Sequence, residues 1–255
     1  MRRLHLFEFE DQPWLPRAWR RYLSELLQHQ TQEIYRPVVP LLADWLRDCG
    51  CREVVDIGSG VGGPWPMLLP ALRAQGFELA VTLTDRYPPD FEGYGSPAFR
   101  YDPEPLDAIA ISKTSGGCRT IFTSLHHLRP AEAEAVLAAS ARSATPVAVF
   151  EFTERTWPRV LGMLLSPILV WVQTPAIPGL DWGRLFWTYA LPVVPLLYLW
   201  DGLVSHLRSY RPDELRALAP SAPGYRWEVG RLRNDDQGVT ITYLLGRRSG
   251  RPPRD

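Results

Sequence analysis

"VVDIGSGVGGPW" fills residues 54–65. An apolar run ends in an acid, glycines crowd the next positions, and a proline follows. Glycine weakens regular structure, so such a cluster signals a tight turn or a close approach of backbone to ligand. Residues 53–57 supply a strand, and Pro64 opens a helix at a position where no backbone donor is needed. A strand, glycine turn and helix in that order leave unpaired N–H groups facing a ligand at the helix start. Gly58, Gly60 and Gly63 fit the dinucleotide pattern G-x-G-x-x-G. Asp56, however, precedes the first glycine. A carboxylate there repels a pyrophosphate and welcomes a cationic end, such as an α-ammonium group.

Working outward, residues 13–48 show apolar side chains at three- and four-residue steps, which predicts helices, with Gly50 as a stop. Beyond them short apolar runs recur at 53–57, 79–84, 98–101, 119–124 and 146–152. Helical patterns at 66–75 and 130–141 separate several of these. Alternating strands and helices predict a parallel sheet covered on both faces. The rhythm breaks near residue 153, where a Trp- and Pro-rich apolar insertion runs to about 210. Then 211–219 reads as a helix and 225–248 as two strands joined at Gly238. The expected organisation is a helical lid (1–48), an α/β core (49–152), an apolar helical cap (153–210), a helix and hairpin completing the sheet (211–248), and a disordered tail (249–255).

The 255 residues carry 28 basic and 28 acidic side chains, a formal charge of zero, which argues against nucleic-acid binding through bulk charge. Cys49, Cys51 and Cys118 are too few and too badly spaced for a disulfide framework or a zinc site, so a reducing cytoplasm is expected. The start, "MRRLHLFEFEDQPW", has acids by its eighth residue and does not read as a signal peptide. The apolar stretches 160–172 and 185–200 fall short of a membrane span and contain prolines. They predict either a buried cap or a peripheral membrane contact through 157–204.

At this point the residues carry a resemblance. "VVDIGSGVGG" resembles the first motif of the class I S-adenosylmethionine-dependent methyltransferases, with Asp56, Gly58, Gly60 and Gly62 on its acid and glycine positions. "TLTDRY" places Asp85 and Arg86 at the end of the next strand, where that family sets a carboxylate on the ribose hydroxyls. Asp107 in "EPLDAIAI" resembles the adenine-edge acid, with Asp102 as the alternative. "TSLHHLRP" resembles a stretch of small-molecule members. The resemblance implies an α/β, Rossmann-like, seven-stranded and mostly parallel sheet with a reversed last strand, plus a helical cap. It implies S-adenosyl-L-methionine as cofactor, held by Asp56, Gly58, Ser59, Gly60, Gly62, Asp85, Arg86, Asp107, Ser124 and Leu125. It covers residues 50–152. One departure is Arg119, where the family usually has an acid.

Methyl transfer from a sulfonium needs alignment and, for a hydroxyl acceptor, a base. His126 and His127 follow the fourth strand, and Glu151 ends the fifth, all at the ligand-binding edge. These three are the catalytic candidates. Structural roles stay open: loop packing for the histidines, pairing with Arg155 for Glu151. Trp14, Trp182, Trp200 and Asp201 are candidates for holding an apolar or aromatic substrate. Asp201 also suits a buried pair with Arg208 or His206. Glu10, Asp11 and Trp14 could lid the cofactor. No His/Cys/Asp set has metal spacing. Methylation of an apolar small molecule, on oxygen by slight preference, leads. An NAD(P)-dependent oxidoreductase and a non-catalytic cofactor-binding module, docking on partners or a membrane surface, remain the alternatives.

Overall fold

The computed structural model describes residues 1–89, 99–113 and 117–249. Among them, seven strands form one sheet in the order β3-β2-β1-β4-β5-β7-β6. The strands are β1 (Glu53–Ile57), β2 (Ala80–Thr84), β3 (Arg100–Tyr101), β4 (Cys118–Phe122), β5 (Val147–Glu151), β6 (Tyr225–Asn234) and β7 (Val239–Arg248). The first five are parallel, and β7 runs antiparallel to β5, as Phe150 opposite Tyr243 marks. The expected seven-stranded sheet with its reversed final strand is the observed one.

Burial explains the composition of each strand. β4 and β5 are buried along their whole length, as central parallel strands covered on both faces must be. β6, at the edge, is half-exposed, which suits an antiparallel hairpin. The helices are α1 (Arg17–Ile34), α2 (Val38–Cys49), α3 (Trp65–Arg73), α4 (Pro130–Arg142), α5 (Trp157–Gly162), α6 (Ser166–Gln173), α7 (Trp182–Leu185), α8 (Val193–Arg208) and α9 (Pro212–Leu218). α2 and α3 cover one face of the sheet through Leu42, Trp45, Trp65 and Leu68, and α4 and α9 cover the other through Val136, Leu137 and Leu215. A third cluster joins α1 to the cap, with Leu23 and Leu26 against Val170, Val194 and Leu197. β1 pairs with both β2 and β4, so the chain reverses its direction of travel across the sheet beside β1. That crevice is where open α/β sheets bind ligands.

Three expectations need correction. The cysteines converge: β1 and β4 are neighbours, so Cys51 meets Cys118 in a disulfide with Cα atoms 6.0 Å apart, and all three sulfurs lie within 4.8 Å of one another. Their spacing along the chain hid this. The apolar stretch 160–172 belongs to a longer helical run, Trp157–Ala176, whose 20 residues are long and apolar enough to cross a membrane by length and composition. Its prolines do not break it, because Pro158, Pro167 and Pro175 each sit in the first turn of a successive short helical piece. β3 is shorter than expected, and the expected start of that strand at Ala98 and the tail beyond Ser249 lie outside the described residues.

Candidate active site

The glycine turn is built around Asp56. Its carboxylate is buried and accepts from Ser59 Oγ at 2.7 Å and Thr120 Oγ1 at 2.6 Å. Burial pushes it up to about 6, against the pull of those hydroxyls. Ser59 Oγ in turn accepts from Thr84 N at 3.2 Å, and Ser59 N donates to Thr84 O at 3.0 Å. Asp56 therefore ties β1 and β4 to the turn from behind. Each of its oxygens is engaged by one of the protein's own hydroxyls.

Gly58 needs its glycine twice over. Its φ is +69°, and a Cβ there would overlap the Ser124 side chain. Gly60 and Gly62 also have positive φ, at +54° and +113°. The turn thus brings bare backbone against the end of β4. Asp85, at the end of β2, accepts from Gly60 N at 2.7 Å and from Tyr87 N at 2.8 Å. Tyr101 closes the same turn by donating to Gly60 O at 2.5 Å, and Gln28 of α1 donates to Val61 O at 2.5 Å. Arg86 stands 3.8 Å from Asp107, whose other oxygen accepts from Ile109 N at 3.0 Å.

These groups line a cavity of about 1120 Å³. Gly58, Ser59, Gly60, Asp85, Arg86, Asp107 and Ser124 are on its wall. Asp107, not Asp102, is the acid placed there. Asp56 and Leu125 lie behind the wall: Leu125 is a fully buried core residue whose N–H donates to Glu151 at 2.8 Å.

The two histidines part company. His126 is buried, with Nδ1 2.7 Å from Glu151 Oε2. Glu151 also accepts from the Leu125 and His126 N–H groups. Burial would raise the Glu151 carboxyl, but His126 and these donors hold it below its ordinary value. Arg155, the alternative partner, goes to Glu214 at 2.6 Å instead. His127 faces the cavity. Its Nδ1 is 2.8 Å from Asp11 Oδ1 and 3.3 Å from Glu8 Oε2. Burial favours the neutral ring, yet Glu8 and Asp11 outweigh it and push His127 up to about 10. Both carboxylates favour the charged ring, which suits a hydrogen-bond donor to an acceptor.

Glu8 and Asp11 arrive on an N-terminal strap, residues 1–16, that crosses the mouth of the crevice. Arg3 donates to His126 O and Leu128 O, Leu4 N to Leu207 O, and Trp200 Nε1 to Phe7 O. Asp201 clamps the strap by accepting from Phe9 N at 2.7 Å and Glu10 N at 3.1 Å. It does not pair with Arg208 or His206. Arg208 goes to Asp11 at 2.6 Å and Glu8 at 3.4 Å, and His206 to the backbone of Glu154. Burial raises Asp201 to about 7. Glu10 lines the cavity, and burial with nearby Asp201 lifts it to about 8.

The strap and α1, rather than the cap, form the outer wall, with Leu15, Ser24, Leu27 and Gln28 on it. Trp182 points to solvent, Trp200 packs on Phe7 and Phe9, and Trp14 packs on Phe9, so the three expected substrate tryptophans are not on the cavity wall. Glu8 was invisible as a site residue, because nothing local distinguishes it from any acid near a terminus. Glu8, His126 and His127 also hold ligand atoms within 4.8 Å of one another, a convergence that the spacing did not announce. A metal there would have to displace the His127 proton and compete with the Arg208 guanidinium.

Neither a known family profile nor a curated protein matches this sequence. Solved structures do match. Human N-acetylserotonin methyltransferase, solved in complex with S-adenosylmethionine, superposes with a TM-score of 0.52 at 13% identity, over 89% of this chain and 56% of the other. TnmH superposes with a TM-score of 0.50 at 20% identity, over 92% of this chain and 59% of the other. The chain thus spans less than two thirds of the length of either. At such identities the likeness establishes the fold: the chain folds as the class I S-adenosylmethionine-dependent methyltransferases do.

Proposed function

We propose that this protein transfers a methyl group from S-adenosyl-L-methionine to an apolar small molecule, on oxygen by preference. The observation that carries the reading is the glycine turn closed by Asp85 on the wall of a cavity that His127 and Glu10 also line. The residues fit the donor. Gly58 lets the turn's backbone close on Ser124 at the cavity wall, and the Asp85 carboxylate suits a pair of ribose hydroxyls. Gly58, Ser59, Gly60, Asp85, Asp107 and Ser124 would hold the donor, with Arg86 beside Asp107 and Gly62 behind the wall. When bound, it supplies an already activated methyl group, so the protein's task is alignment. At about 1120 Å³ the cavity exceeds the usual range for one small ligand, roughly 300–1,000 Å³, and so accommodates donor and acceptor together.

The acceptor side is the strap and α1. His127, held as a cation by Asp11 and Glu8, orients an acceptor oxygen as a hydrogen-bond donor. Glu10, poised near pH 8, takes the acceptor's proton. His126 and Glu151 brace the loop that carries His127. Leu15, Leu27 and Phe122 are among the cavity's apolar lining. Calorimetric titration tests it: S-adenosylmethionine should bind in the micromolar range, and NAD and NADP should not. Absence of donor binding would sink the proposal.

A further inference from the structure

The apolar insertion is turned inside out. A helix in water hides its apolar side chains and exposes its polar ones. Between residues 157 and 196 many side chains do the reverse, while Val170, Ile177 and Val194 pack inward on α1. Arg184 and Thr188 are 2% and 0% exposed, and Ser166 and Thr174 are buried, while Leu165, Val172 and Trp182 are 65%, 71% and 87% exposed. No charged side chain occurs in residues 160–180 or 185–200. Only 17% of the most apolar window of Trp157–Ala176 is buried, whereas a core helix of that composition would be mostly covered.

We propose that this face, the outer side of α5 to α8, docks on a lipid bilayer and seats its apolar side chains at the headgroup–acyl boundary. The polar handles of Trp171 and Tyr189 decide for lipid over a second copy of the chain. Trp171 Nε1 donates inward to Thr188 O at 3.0 Å, and Tyr189 OH donates to Trp171 O at 2.7 Å. Their rings therefore present carbon alone to the outside. Hydrocarbon demands that. A protein interface, with about one hydrogen bond per 100–200 Å², would find little to bond. The charges that border the apolar runs are drawn to the protein side as well. Asp181 is held by Arg21 at 2.5 Å and by Tyr22 at 2.9 Å, and Arg184 pairs with Glu25, all three partners on α1. The helical pieces Trp182–Ala190 and Val193–Arg208 meet at 74°, a bend that keeps this half of the face shallow. The face is thus the apolar side of an interfacial, not a spanning, structure. This docking does not rest on the methyl-transfer reading.

The test is flotation of the full chain with neutral phosphatidylcholine vesicles at low and high salt, with no cofactor present. The chain should float at both, because apolar insertion is not screened. Leu161→Glu with Leu165→Glu and Val172→Glu should reduce vesicle partitioning on the order of 100-fold, while thermal midpoint and S-adenosylmethionine binding stay as in the parent. Should that triple variant fail to fold, Val172→Glu alone should lower partitioning by about tenfold. A parent chain that stays unbound, binding lost at high salt, or charged variants that float like the parent would each overturn the proposal. So would a compact dimer in sedimentation that the triple variant dissociates while neither binds vesicles, since the face would then join two copies. Loss of donor binding with intact flotation would strike the methyl-transfer reading alone.

Discussion

Gly58→Ala offers the sharpest probe of the glycine turn. Two costs add. At φ +69° an L-residue pays for the left-handed region, about 1–2 kcal/mol. The new Cβ also overlaps the Ser124 side chain, and forcing a packed site apart costs about 1–3 kcal/mol more. The sum is roughly 2–5 kcal/mol, or about 4–20 °C of melting temperature for a chain of this size. Gly60→Ala has the same kind of backbone, at φ +54°, but its nearest neighbour is Ser24 Oγ at 3.9 Å, so only the first cost applies. Removing the obstruction should separate the two. Gly58→Ala combined with Ser124→Gly should recover the steric part and fall to the level of Gly60→Ala. Thermal and urea unfolding of the three variants and of Ser124→Gly alone complete the cycle. Equal damage from Gly58→Ala and Gly60→Ala, or no recovery in the double variant, would refute the close approach of Gly58 to Ser124.

Asp85→Ala removes a charged acceptor from Gly60 N and Tyr87 N and should weaken S-adenosylmethionine binding by about 2–4 kcal/mol; unchanged affinity in calorimetry would take Asp85 out of the site. Glu10→Gln should keep donor binding yet slow methyl transfer about 10²–10⁴-fold, and should erase a rise in rate that is expected of the parent as pH passes about 8. His127 is raised from 6.5 to about 10, so its stabilisation is whole below pH 6.5 and lost as pH climbs through 10. His127→Gln should flatten that alkaline loss in urea titrations run across the window. Asp11 is held low by His127 and Arg208, so its contribution is present near neutrality and disappears only in strong acid; Asp11→Asn should remove that acid limb.

Local signals were legible in the chain. The strand, glycine turn and Pro-led helix at 53–65, the carboxylate ending β2 and the hairpin about Gly238 all follow from residues within a few positions of one another. Backbone conformation there depends on neighbours in the chain, so the α/β sheet and the cofactor-type turn could be read directly. What residues far apart do together could not. Asp11 and His127 are separated by 116 positions, Asp11 and Arg208 by 197, and Cys51 and Cys118 by 67. Only packing brought them into reach. Packing also turned Asp201 from a substrate candidate into a clamp on the strap and held His127 as a cation. The 157–196 segment shows the same division. Its composition established an apolar surface, but which side that surface faces depends on where α1 and the sheet stand. The tertiary structure put Arg184, Thr188, Ser166 and Thr174 inward and left Trp157, Trp171, Trp182 and several leucines outside.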